Sequence, residues 1–114
     1  MEPRREAAVE KVAAGAPCEV GPVLAAAGLL VRCWDRPAPG QGGWGHHHRR
    51  KASDHGCDDP HGPNALWCCP PCNRFVEDHA GEVRARTGDR LVVRPGDPEY
   101  VELGRPSKMT PPTA

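Results

Sequence analysis

Cys69-Pro70-Pro71-Cys72 stands in a chain that has little else with which to hold itself together. Only 38% of the 114 residues are hydrophobic and 4% aromatic, against 13 glycines and 14 prolines. That length suits one domain near the small end of the usual range. A core so thin is expected to need a staple, and six cysteines supply candidates. The opening Met1-Glu2-Pro3-Arg4-Arg5-Glu6 lacks the apolar stretch of a secretory signal. The longest apolar run, near 23–31, is too short and too broken by Gly28 to span a bilayer, so no membrane partner is expected. A cytoplasmic setting follows, where clustered cysteines more often hold metal than pair as disulfides.

Two thiolates spaced Cys-x-x-Cys form a knuckle suited to tetrahedral Zn²⁺ at a structural site, which wants four ligands. Cys18 and Cys33 are the expected partners of Cys69 and Cys72, because both precede them in ordered-looking segments. Cys57, in a Gly/Asp/Pro loop, is the runner-up. Cys68 in a strand would point away from Cys69.

Hydropathy and breaker residues divide the chain. A helix is expected over 4–14, ended by Gly15-Ala16-Pro17, and another turn or two over 20–27, capped by Gly28. The segment 29–33 is β-compatible, 37–45 is a Gly/Pro loop, 53–63 is a polar loop and 65–68 is a brief strand. A helix over 73–86 is expected to weaken near Gly81. Residues 91–94 read as a strand, 95–98 as a turn and 105–114 as a disordered tail.

Net charge is zero, with 15 Lys+Arg against 15 Asp+Glu, which argues against a broad basic surface for nucleic acid. Residues 46–51, however, hold three His, two Arg and one Lys with no acid. Such a compact site can still engage a few phosphates. The order His47-His48, Asn64, Cys69-x-x-Cys72-Asn73 suggests a metal-dependent phosphodiesterase. A neutral imidazole can take a proton from water, and a divalent cation can polarise the phosphate. Alternation along a strand would let one imidazole hold metal while its neighbour faces the phosphorus. Taken singly, each has a plainer reading: a solvated His patch, a turn Asn, a helix N-cap, a charged surface run.

Together these residues resemble the HNH endonucleases, the ββα-metal nucleases. The resemblance implies a small α+β, treble-clef-like fold over 1–104, with a catalytic core at about 44–86. It makes His48 the general base, Asn64 the brace of the loop and base, and His47 and Asn73 ligands of a catalytic divalent ion (Mg²⁺, Mn²⁺, Ni²⁺ or Zn²⁺). Glu77, one helical turn after Asn73, is a candidate third ligand. Arg49, Arg50 and Lys51 would hold flanking phosphates of DNA. Cys18-Glu19-Val20-Gly21-Pro22, Cys33 and 91–98 also resemble small phage and prophage members, which implies a terminase or portal as partner. One departure stands out: Gly21 occupies the place of a second upstream cysteine, leaving Cys33 to complete the zinc set. Two rival readings share the cysteines but not the chemistry: a catalytically silent zinc module binding DNA or protein, and an assembly protein using the scaffold for contacts. Trp44, in its Gly-rich loop, could pack against nucleic acid or serve the core.

Overall fold

A computed structural model describes residues 3–105. It is a small α+β molecule in which one two-stranded hairpin is flanked by short helices. Helix α1 (Pro3–Ala13) and α2 (Gly21–Ala26) come first. Strand β1 (Gly45–His48) then pairs antiparallel with β2 (Ala65–Cys68), and α3 (Pro70–Asp78) and α4 (Ala80–Thr87) follow.

Local chemistry explains most boundaries. Gly28, at φ 77°, ends α2 by letting the Leu29 N–H reach back to the Leu24 carbonyl (3.0 Å). In the hairpin, His46 faces Trp67 and His47 faces Leu66 across the ladder. Trp67 is fully buried and stacks on Trp44 with ring centroids 5.5 Å apart. Its indole N–H donates to the Ala16 carbonyl (2.9 Å), and its backbone N–H to Glu19 Oε1 (2.7 Å). Trp44 is therefore a core residue and is not exposed to a ligand. Leu24, Val76, Val83, Leu91 and the buried Cys18, Cys68, Cys69 and Cys72 complete this small core.

Four expectations are corrected. Residues 29–33 form no strand; tight turns at Val31–Cys33 and Trp34–Arg36, with Asp35 at φ 63°, deliver Cys33 inward instead. The helix expected from Asn73 begins at Pro70, with Cys69 as N-cap, since prolines in the first turn forfeit no helical N–H bond. Asn73 is thus inside the helix and does not cap it. This helix breaks at His79 (φ −128°, ψ 34°), two residues before Gly81, which turns α4 so that it packs on α2 as well as α3. Residues 91–94 are no strand either: Leu91, Val92 and Val93 are all buried, without alternation, and among the described residues one backbone bond, from Val93 N–H to the Arg49 carbonyl (2.9 Å), ties them to the end of the hairpin. The Arg94–Asp97 turn is present.

Arg105 belongs to the folded part, donating its N–H to the His55 carbonyl (2.7 Å) and a guanidinium N–H to Ala52 O (2.9 Å). The rest of the expected tail, 106–114, lies outside the described residues. Among the described residues, no helix is long and apolar enough to cross a membrane.

Candidate metal centre and adjoining cleft

The chain brings Cys18, Cys33, Cys69 and Cys72 together, with all four Sγ atoms within 4.8 Å of one another. Cys18 arrives just before α2, Cys33 on the irregular loop after it, Cys69 as the N-cap of α3 and Cys72 in its first turn. Backbone N–H groups point at the sulfurs: Gly21 at Cys18 (3.3 Å), Asp35 at Cys33 (3.3 Å) and Trp34 at Cys69 (3.5 Å). Such donors stabilise thiolate, so this set can hold a metal ion. The Cys18 thiol is driven far below its ordinary value, first by the Cys68 and Cys72 thiols donating to it. Burial pushes the Cys33 thiol up to about 11.

Gly21 explains the altered cysteine spacing. A Cβ at position 21 would collide with Cys33 Sγ and come within 3.6 Å of Cys72 Sγ. Cys33 thus fills the volume that a side chain at 21 would need. Cys57 and Cys68 stay outside the set; Cys68 is fully buried beside it, its Sγ 3.3 Å from the Cys69 carbonyl oxygen.

Beside this centre, between β1, α3 and the 91–95 segment, lies a cleft of about 600 Å³. His47, His48, Asn73, Glu77 and Lys51 all line it. His47 is buried, and its Nε2–H donates to the Leu91 carbonyl. A carbonyl only accepts, so the neutral ring carries its lone pair on Nδ1. Desolvation holds His47 below the ordinary imidazole value, and the Leu91 carbonyl only partly opposes it. Desolvation likewise lowers His48, opposed mainly by Asp58. His48 Nε2 lies 3.5 Å from Asp58 Oδ1, buried and with no hydrogen-bond partner among the described residues. His46 also lines the cleft, but its Nε2 accepts from Lys11 Nζ (2.9 Å). Burial, then Lys11, lowers it to about 4.

Asn64 is buried to 1% exposure and makes a closed set of bonds. Its Oδ1 accepts from Arg50 N–H (2.7 Å), and its Nδ2 donates to the Arg50 (3.0 Å) and Cys57 (3.1 Å) carbonyls. Its own carbonyl accepts from Arg49 N–H (2.9 Å). The loop leaving β1 is thereby locked directly after the histidines.

Two of the three residues expected to hold phosphates are engaged internally. Arg49 grips Glu99 with two bonds (3.0 and 3.1 Å) and the Asp89 carbonyl (2.8 Å). Arg50 stacks on Tyr100 at 3.9 Å and donates to the Asp54 (2.7 Å) and Tyr100 (2.8 Å) carbonyls. Lys51 is exposed at the rim. Asp58, the 91–93 plug and the Glu99–Tyr100 clasp carry no motif by which sequence could single them out. His79 is exposed and packs on Phe75 (4.6 Å).

Compared with known proteins, the chain matches no family model, no curated protein and no solved structure.

Proposed function

We propose that this chain is a metal-dependent endonuclease of HNH type that hydrolyses DNA phosphodiester bonds. The observation that carries the reading is convergence: His47, His48, Asn73 and Glu77, from two elements, line one cleft beside a hairpin whose exit is locked by Asn64. The element order β1, β2, α3 around these residues fits a ββα unit.

The cysteine set suits structural Zn²⁺. With Zn–S bonds of about 2.3 Å, tetrahedral geometry separates the sulfurs by about 3.8 Å, and Cys33 and Cys69 lie 3.9 Å apart. For the catalytic ion, His47 Nδ1, Asn73 and Glu77 offer one nitrogen and two oxygen donors, a set that Mg²⁺, Mn²⁺, Ni²⁺ or Zn²⁺ accepts. That ion would polarise the phosphate and stabilise the departing oxygen.

His48 takes the proton from the attacking water. Burial keeps it neutral and therefore able to accept. With the proton on Nε2, 3.5 Å from Asp58 Oδ1, the lone pair would lie on Nδ1. Asn64 fixes the backbone after His48, so the imidazole does not have to be ordered at the moment of reaction. Lys51 and Arg94, both at the rim, hold flanking phosphates. With Arg49 and Arg50 engaged internally, DNA affinity at the cleft is modest, which favours action beside a DNA-holding partner such as a phage terminase or portal.

Incubating the purified chain with supercoiled plasmid across Mg²⁺, Mn²⁺, Ni²⁺ and Zn²⁺ tests the reading. Metal-dependent nicking or linearisation is expected. A folded, metal-loaded chain inert under all four ions would instead favour a silent metal module, the reading to which the internal use of Arg49 and Arg50 lends weight.

A further inference from the structure

The loop that carries Cys33 into the sulfur cluster turns other side chains outward. Leu30, Arg32, Trp34 and Arg36 are exposed, whereas Leu29, Val31 and Cys33 are buried or half-buried. Trp34 is 40% exposed, while Trp44 and Trp67 are at 8% and 1%. Among the described residues, the Trp34 indole has no hydrogen-bond or ring partner.

The backbone under this indole is fixed. Trp34 N–H donates to Cys69 Sγ (3.5 Å), Asp35 N–H to Cys33 Sγ (3.3 Å), and the Asp35 carbonyl accepts from Cys18 N–H (2.7 Å). Arg32 makes no hydrogen bond or ion pair with the described residues. Arg36 commits one nitrogen to the Gly15 carbonyl (3.0 Å) and keeps its other donors. Asp35 is the single acid among them.

We propose that this loop is a second nucleic-acid site, taking single-stranded DNA with a base stacked on Trp34 and phosphates on Arg32 and Arg36. An open indole flanked by guanidinium groups is the usual platform for an unpaired base. Bases in a duplex have both faces covered, so the chemistry selects a single strand. Anchoring to the sulfur cluster means that the platform loses little freedom when it binds. Cleavage is not required: the loop binds whether or not the cleft is catalytic.

The test uses the full chain carrying His48→Ala, so that no cutting blurs the readout, with a fluorescein-labelled oligo(dT). Anisotropy gives affinity, and tryptophan emission reports the one exposed indole. Oligo(dT) should quench the emission, and Trp34→Ala should weaken binding roughly 5- to 100-fold. Arg32→Ala with Arg36→Ala should flatten the slope of log K against log salt by about 1.4. Metal content should be unchanged in each. Arg32 makes no hydrogen bond or ion pair with the described residues, so its single variant remains informative if Trp34→Ala folds poorly. Absence of quenching, equal affinity in all variants, or preference for duplex over oligo(dT) overturns the proposal. So does an oligo(dT) affinity that Leu30→Ser lowers and the arginine variants leave intact, since the contact would then be apolar and without phosphate recognition. Because no cleavage is measured, failure here leaves the nuclease reading standing, and inactivity toward plasmid leaves this one standing.

Discussion

The Asn64 side-chain amide clasps the Arg50 backbone on both sides of its Cα: the Arg50 N–H donates to Asn64 Oδ1 and the Arg50 carbonyl accepts from Asn64 Nδ2. Asn64→Ala would leave that N–H and the Arg50 and Cys57 carbonyls without a partner, costing about 3 kcal/mol. Asn64→Asp keeps one acceptor but sets a carboxylate against two carbonyls, so it should be no milder. Denaturant unfolding of both variants against the parent checks this.

Gly56 sits inside the same lock. A Cβ there would strike the Arg50 carbonyl and come within 2.9 Å of Asn64 Nδ2, and neither neighbour can yield. Gly56→Ala should therefore destabilise at least as much as Asn64→Ala, whereas Gly42→Ala, in open space, should leave the melting temperature nearly unchanged.

The Gly21–Cys33 exclusion makes a compensating pair. Gly21→Ala alone should lower metal content by driving Cys33 aside, and Cys33→Ala alone should lower it by removing a ligand. Gly21→Cys with Cys33→Ala should recover a four-sulfur set. Metal stoichiometry measured on the three variants decides it; a double mutant no better than either single one contradicts the account.

Arg84 donates two bonds to Asp97 (2.6 and 2.8 Å), which holds that carboxyl down at about 2, the Arg84 guanidinium being the main cause and the Arg94 N–H the next. A carboxyl depressed by folding stabilises the native state fully above its unfolded value near 3.8 and no longer does so below about 2. Melting temperatures from pH 5 to 2 should thus fall less steeply in Asp97→Asn than in the parent, and the two should converge at the acid end.

Arg49 and Lys51 should separate structure from DNA contact. Arg49→Ala removes the Glu99 clasp and should lower thermal stability. Lys51→Ala should leave stability alone while flattening the salt dependence of duplex binding by about 0.9.

These contrasts show what the sequence could and could not convey. Cys-x-x-Cys with two earlier cysteines was legible because thiolates seek one another through a metal, whatever lies between. That His47, His48, Asn73 and Glu77 share one cleft was legible from the order of residues in the resemblance together with strand and helix spacing. The internal engagement of Arg49 and Arg50 was not legible because their partners, Glu99 and Tyr100, lie some fifty positions away, and a basic run looks solvated until those partners are placed. Residues 91–93 resembled a strand by composition, yet they serve as a buried plug whose Leu91 carbonyl orients His47. The break at His79 reflects packing of α4 on α2 and has no propensity signal.

The central claim rests on His48. Plasmid cleavage by His48→Ala should be compared with the parent under the best metal, with zinc content and melting temperature measured on the same samples. The account predicts a rate lower by roughly a hundred- to ten-thousand-fold, as for loss of a general base, in a variant that keeps its metal and its fold. A variant that is intact and cuts as fast as the parent would contradict it.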